Sequence, residues 1–390
     1  MLKYSVGLDV SAKEIHCCLS AIDSTQKVTV KASRKISNTP KGFKDLKEWI
    51  ALKRKGTETS LVICMEATGV YYENCAIYLY REGFSVSVIL PNYAKKYLQA
   101  SGLKSKNDKT DAKGLAQMGA EKSLEIWEPM GEFFYELRLI TREIERTMER
   151  RTAITNQIHA LSHGMYQNKE VNKLLRAQLK QLEKHLEELD KLNLKHIASN
   201  KEVADKVEKL CTIKGVGIRT VSTILAETNG FLLFKNSRQL VSFSGYDVVE
   251  NQSGTHNGKT RISKKGNSHI RRILHLPAFS VVRWKVKPFE DLYERTLAKH
   301  GIKMKSFVAV QKKLLILIYS LWKKDEAYNE IQEKHYTEQE AELSLGSEAI
   351  ADGDAVKEFI KIVPTMMPAL HKVSMTSEQS PYASSRVEQS

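Results

Sequence analysis

The sequence predicts an α/β domain at the N-terminus, a long helical insert after it, and a mostly α C-terminal domain. Three observations carry that prediction. The first 125 residues alternate short β-like runs with helical stretches, residues 132–198 carry two heptad seams, and residues 205–325 show helical periodicity broken by glycine-rich turns. The expected divisions are 1–125, 126–204 and 205–336, with a tail over 337–390.

In the first region, period-2 or continuous apolar runs fall at 4–10, 15–22, 27–33, 61–66 and 85–91, and helical stretches at 41–54, 71–83, 92–100 and 110–121. Three strands in quick succession, then strand, helix and strand, predict a mixed sheet with helices on its faces. In the second region, Leu137, Ile140, Ile144, Thr147, Arg151, Ile154, Ile158, Leu161 and Met165 recur three and four apart. Leu175, Leu179, Leu182, Leu186 and Leu189 do the same after a break near Gly164–Asn168. Two such seams joined by a short turn read as an antiparallel helical hairpin or an oligomerising coiled coil, with Thr147 and Arg151 as polar interruptions suited to setting register or partner number.

The third region opens with LCTIKGVGIRTVSTILAE, a Gly-Val-Gly turn between helical segments of the helix-hairpin-helix kind, where glycines let backbone amides approach a phosphate. A lone GxG is weak evidence for that. The block that follows is richer. Lys259, Arg261, Lys264, Lys265, Arg271 and Arg272 surround Ser253, and a helix beginning at Asn267 presents His269, Arg271, Arg272 and His275. Such clustering suits phosphate, although a charge run is often only a solvated face. A further helical region spans 304–334; residues 337–390 are acidic and then aperiodic, which predicts disorder.

Four carboxylates carry the chemistry. Asp9 lies in GLDVSAKE and Glu66 in LVICMEATGVYYE, each at the end of a β-like run that delivers a side chain to the rim of a sheet. Asp108 and Asp111, in KSKNDKTDAKGLAQMG, are three apart at a helix opening and so share one helical face. Each has an ordinary alternative: Asp9 as a turn residue, Asp108 and Asp111 as first-turn acids favoured by the helix dipole. Glu66, closing an apolar run, is an odd place for a solvated charge. If the fold gathers all four, the crowding demands compensation, and hard divalent cations with oxygen ligands supply it. Two such ions about 3.5–4 Å apart can clamp a transferring phosphoryl group. Mg²⁺ is the expected ion, with Mn²⁺ as its stand-in.

Lysine and arginine number 61 against 46 acids, a net charge of +15, which favours polyanions, chiefly nucleic acid. No apolar run approaches the roughly 18–20 residues of a membrane span, and the N-terminus enters a strand pattern with no signal peptide. Five cysteines, Cys17, Cys18, Cys64, Cys75 and Cys211, lack CxxC or His spacing. That predicts reduced thiols in a cytoplasmic protein, with no zinc site or disulfide framework.

Taken together, GLDVSAKE, MEATGVYYE, KNDKTDAKGLA, KGVGIRTVSTILAE and SGYDVVENQSGTHNGKTRISKKGNSHIR resemble the DEDD transposases of insertion-sequence family 110, with their 1111 subgroup and the related pilin-gene invertases. The similarity covers residues 3–325. It implies an RNase H-like domain of the Holliday-junction-resolvase type over 1–125, a coiled-coil insert, and a transposase domain with a nucleophilic serine. The DEDD set falls on Asp9, Glu66, Asp108 and Asp111, and the serine on Ser253, with Ser242, Ser244 and Ser263 as neighbouring competitors. The resemblance further implies element-end and target DNA as substrates, a structured noncoding guide RNA, and a homodimer or homotetramer in which one subunit's serine domain completes another's carboxylate site. The tail after 337 departs from the family pattern.

On this reading the chain is a recombinase that cuts and rejoins DNA through a phosphoserine, with Lys104, Lys106, Lys214, Arg219, Lys259, Arg261, Lys264, Lys265, Asn267, Arg271 and Arg272 as candidate nucleic-acid contacts. A hydrolytic nuclease or junction resolvase shares the carboxylates but dispenses with the serine. A non-catalytic scaffold needs neither. With 6–10 phosphate contacts, affinity would fall about 10³–10⁵-fold between 50 and 200 mM salt.

Overall fold

In the computed structural model, the described residues are 2–54, 59–102, 107–249, 252–253, 256–258 and 261–329. The chain divides into two units, Met1–Tyr135 and Glu136–Ser390.

The first unit is built on β1 (Lys3–Val10), β2 (Glu14–Ile22), β3 (Val28–Ser37), β4 (Leu61–Glu66) and β5 (Ser85–Ile89), in the order β3-β2-β1-β4-β5. β1 to β3 form an antiparallel meander, whereas β4 pairs parallel to β1 and β5 parallel to β4. This is the mixed sheet expected of the region. The crossovers are α1 (Pro40–Arg54) and α2 (Glu73–Arg81). Alternation sorts the side chains. Val6, Leu8, Val10, Ile15, Cys17, Leu19, Ile63 and Met65 point into one core with Phe43, Leu46, Trp49 and Leu79 of α1 and α2. The outer strand β3 carries exposed Lys31, Arg34 and Lys35, the charged protection an edge strand needs.

The opposite face is covered by α3 (Pro91–Ala100) and α4 (Asp108–Glu121). α4 descends unusually close to the sheet because the contact is made of small residues. A Cβ on Gly7 would fall 2.1 Å from the Ala112 carbonyl oxygen, and one on Gly119 would fall 2.2 Å from the Ser5 hydroxyl. Ala112 and Ala116 pack there against Cys18, and Leu115 and Met118 against Cys64 and Ile89.

In the second unit, α5 (Glu132–Ser162), which begins in the first, runs antiparallel to α6 (Lys169–Ala198). His196 faces Glu136, and Ile144 packs between Leu186 and Leu189. Only this proximal half of the hairpin is closed. Thr147 is fully buried, while Arg151, Leu161, Met165, Tyr166 and Leu174 are exposed.

α7 (Lys201–Cys211) and α8 (Ile218–Thr228) flank the Gly-Val-Gly turn, and α9 (Ser237–Phe243) follows. Two short antiparallel pairs follow, β6 (Val248–Val249) with β9 (Arg261–Ile262) and β7 (Gln252–Ser253) with β8 (His256–Asn257). α10 (Ser268–Ile273), α11 (His275–Arg283), α12 (Lys287–His300) and α13 (Lys303–Lys324) complete the unit. α13 corrects the expectation of a helix over 304–334. It stops where Asp325 turns left-handed at φ 57°, held by Lys209, which donates to the Asp325 carbonyl at 3.1 Å and pairs with its carboxylate at 3.0 Å. The expected disordered tail, 337–390, lies outside the described residues. Among those residues, no helix is long and apolar enough to cross a membrane, and the five cysteines form no disulfide.

Candidate active site

The β1–β4 register ends with Leu8 opposite Met65, so Asp9 and Glu66 come next on adjacent parallel strands. Asp9 lies two residues beyond Gly7 and therefore on the face that α4 covers. Asn107 caps α4, its side-chain oxygen accepting from the Thr110 amide at 2.8 Å, which fixes Asp108 and Asp111 in the first turn. Because Ala112 sits directly over Gly7, that turn is held close to the end of β1.

The electrostatics agree. The Asp9 carboxyl is pushed up to about 6, first by burial and then by the charges of Asp108, Asp111 and Glu66. Half-buried and facing three like charges, this set has the hard-oxygen chemistry of a divalent-cation site. Among the described residues, however, no group of three or more acidic, histidine or cysteine side chains is already drawn together to hold an ion. The backbone gathers the carboxylates; side-chain rotations would have to converge them.

Sequence reasoning passed over His16. It is the cross-strand partner of Asp9 in the β1–β2 ladder and lies on the same face, half-buried. The signal was the antiparallel register, which periodicity alone does not reveal.

The serine block is equally specific in its backbone. Ser253 lies in β7 opposite His256, at the end of the ribbon away from its root. The root is tightly fastened. The Ser263 hydroxyl donates to Asp247 at 2.7 Å, the Lys264 amide to the Gly245 carbonyl at 3.1 Å, and the Asn267 amide to the Phe243 carbonyl at 2.7 Å. Arg271 donates to the carbonyls of Ser244 (2.7 Å), Asn267 (3.2 Å) and Lys264 (3.3 Å). Of the competing serines, Ser244 is fully buried, Ser263 is bonded to Asp247, and Ser242 is exposed on α9.

Several cations expected to meet nucleic acid have internal partners. Arg219 forms a bidentate pair with Asp190 of α6. Arg272 reaches Glu145 at 2.6 Å and also pairs with Glu149, both on α5, while His269 pairs with Glu145. Asn267 caps α10 and donates at 2.7 Å to Glu227, a buried carboxylate that also takes two bonds from Arg142, at 2.8 and 3.0 Å. Lys214 is exposed at the Gly-Val-Gly turn. Arg261, Lys264 and Lys265 are exposed with no acidic partner among the described residues. Lys104, Lys106 and Lys259 lie outside the described residues.

Residues 6–167 match the family model described as a transposase, of the DEDD type found in IS110 elements. Residues 207–294 match the model described as the transposase IS116/IS110/IS902 family. The chain belongs to the IS110-type DEDD transposases. It is 25% identical over 330 residues to the pilin gene-inverting protein of Moraxella bovis, spanning 84% of this chain and 98% of that protein. It is 24% identical over 276 residues to the transposase for insertion sequence element IS1111A of Coxiella burnetii, covering 63% and 73% of the two chains. Thermus thermophilus RuvC in complex with a Holliday junction substrate aligns over 30% of this chain and 93% of its own, at 14% identity and a TM-score of 0.23. As a member of this transposase family, the protein is a DNA recombinase.

Proposed function

We propose that this transposase cuts and rejoins DNA through a covalent serine–phosphate intermediate, assisted by a divalent-metal carboxylate site and directed by an element-encoded structured RNA. The observation that carries the reading is the Asp9 carboxyl at the end of β1, raised first by burial and then by the charges of Asp108 and Asp111 on α4 and Glu66 on β4. Structural ion pairs lower carboxylate pKa values; like charges gathered on a sheet rim raise them, at a cost that function repays.

Asp9, Glu66, Asp108 and Asp111 would hold Mg²⁺ or Mn²⁺, which when bound supplies charge stabilisation at the scissile phosphate. Ser253 supplies the nucleophile. Its Oγ forms a new bond to phosphorus while the bond from phosphorus to the departing sugar oxygen breaks. The hydroxyl proton leaves to a base and the sugar oxygen gains one. The phosphoester count is conserved, so the reverse attack by a different strand end rejoins DNA without net hydrolysis. Exposed Arg261, Lys264 and Lys265 on the ribbon and its root would bind the flanking backbone. The carboxylates and Ser253 belong to different units of the chain, and a dimer or tetramer would allow one copy's serine to serve another's carboxylates.

The decisive variant is Asp9→Asn. It is expected to bind DNA and RNA as the parent does while losing strand cleavage; full recombination by this variant would overturn the role of the carboxylates.

A further inference from the structure

Arg219, Arg271 and Arg272, expected at the nucleic-acid surface, are tied to acids or carbonyls, whereas one cluster elsewhere in the second unit is not. The segment Arg283-Trp284-Lys285-Val286-Lys287 joins α11 to α12, and Arg283, Trp284, Lys285 and Lys287 are all exposed. Trp284 is 57% exposed, while Trp49 and Trp322 are buried at 6% and 8%. Neither Trp284 nor these three cations has an ion pair, ring contact or side-chain hydrogen bond among the described residues. The nearby acids of α12, Glu290, Asp291 and Glu294, pair with none of them.

The backbone beneath them is fixed. The Val286 amide donates to the Val281 carbonyl at 3.0 Å and the Lys285 amide to the Val282 carbonyl at 3.0 Å, the paired bonds of a Schellman cap. Val281 and Val286 are both buried under that cap. Lys285 occupies the left-handed position at φ 53°, where glycine is the usual residue. A charged side chain kept at a strained position points to a role outside the fold. The Trp284 ring leans on the Gly-Val-Gly turn: a Cβ on Gly215, itself at φ 89°, would lie 3.5 Å from Cζ3 of Trp284 and 2.8 Å from the Ser280 Cβ. Glycine at 215 is thus what lets the turn and the ring approach.

We infer that Trp284, with Arg283, Lys285 and Lys287, forms a stacking platform for an unpaired nucleotide of a single-stranded or looped nucleic acid. An open indole takes the base and the surrounding cations take the adjoining phosphates, a combination tolerant of base identity. Unpaired bases arise both in a structured RNA and in DNA opened for strand exchange, so the shared ligand is the flipped or single-stranded nucleotide. The inference rests on the reading of this chain as a nucleic-acid enzyme, but not on Ser253 or the carboxylates.

The test uses the full-length protein with labelled oligothymidine, oligouridine and a DNA duplex. Trp284→Ala is expected to weaken oligothymidine or oligouridine binding about 5- to 150-fold, with little change on the duplex and no change in Tm. Single-stranded probe should quench tryptophan emission in the parent and not in Trp284→Phe, which keeps most of the affinity. Lys285→Gly relieves the left-handed strain, so it should hold or raise Tm while reducing the salt slope on single strands by about 0.7. Whichever oligomer responds more strongly identifies RNA or DNA as the source. Equal affinity of Trp284→Ala and parent, absence of single-strand binding by the parent, or a Trp284→Ala effect confined to self-association would each overturn the inference. Covalent adduct formation on duplex donor DNA is a separate readout, so failure of the platform and failure of the catalytic reading are distinguishable.

Discussion

Gly7 of β1 and Ala116 of α4 meet backbone to backbone: a Cβ added to Gly7 would fall 2.2 Å from the Ala116 amide nitrogen. This apposition sets how far α4 descends, and with it the height of Asp108 and Asp111 beside Asp9. Gly7→Ala cannot be absorbed by a side-chain rotation, because the atoms it meets are backbone. It is expected to cost at least the about 1–3 kcal/mol of overpacking and to abolish cleavage even where the protein still folds. Thermal unfolding together with a cleavage assay checks both.

Asp9 strains the metal-free fold. Because its carboxyl is raised to about 6 from an ordinary value of 3.8, the native state holds its proton more tightly than the unfolded chain does. This group's contribution therefore declines as pH rises from about 4 to 6 and stays low above that. Asp9→Asn is expected to raise Tm in EDTA at pH 7.5, and to leave Tm nearly unchanged at pH 4 apart from other groups. Added Mg²⁺ should stabilise the parent and not the variant. A lower Tm for Asp9→Asn at pH 7.5 would contradict the crowding.

Glu227 shows the opposite sign. Burial alone would raise its carboxyl, but the bonds from Arg142 and Asn267 outweigh burial and hold it below its ordinary value of 4.5. Its stabilisation is present above that value and lost as pH falls below it. Glu227→Ala leaves Arg142 and Asn267 without their shared acceptor and is expected to cost about 2–4 kcal/mol, since Arg142 keeps some water. Glu227→Gln should flatten the acid limb of the stability profile measured by urea unfolding.

Arg271 is expected to behave as a fastener of the ribbon root. Three backbone carbonyls occupy its guanidinium, so Arg271→Gln should lower Tm and speed proteolysis within 248–262. The salt slope of DNA binding should be unchanged. A phosphate ligand would instead reduce that slope by about 0.9. Arg271→Lys should not rescue, because an ammonium lacks the planar fork.

What the sequence made legible follows from periodicity. The first unit's central strands are near-continuous buried apolar runs, so β4 falls on the expected 61–66 and β1 and β2 within a residue of expectation. α4 begins at Asp108, two residues before the expected 110, because Asn107 caps it. β3 runs on to Ser37, past the expected 33, through residues that are exposed and polar apart from buried Ile36, a composition that mimics a loop. The ribbon strands escaped notice because two-residue pairs carry no period. The partners of Arg272 and His269 are acids more than 120 positions earlier on α5, a distance at which local pattern is silent. The gathering of the four carboxylates was legible only through the family motif, since nothing local in LVICME links Glu66 to Asp108.

The most direct test of the central claim is to trap the intermediate. The full-length protein with Mg²⁺, the element's RNA and labelled donor DNA would be denatured and resolved for a DNA–protein adduct, alongside Ser253→Ala and Asp9→Asn. An adduct in the parent that maps to Ser253, and is absent from both variants, is the predicted result. Cleavage that leaves a free 5′-phosphate, forms no adduct and proceeds unchanged in Ser253→Ala would contradict the account and assign the carboxylates to a hydrolytic nuclease.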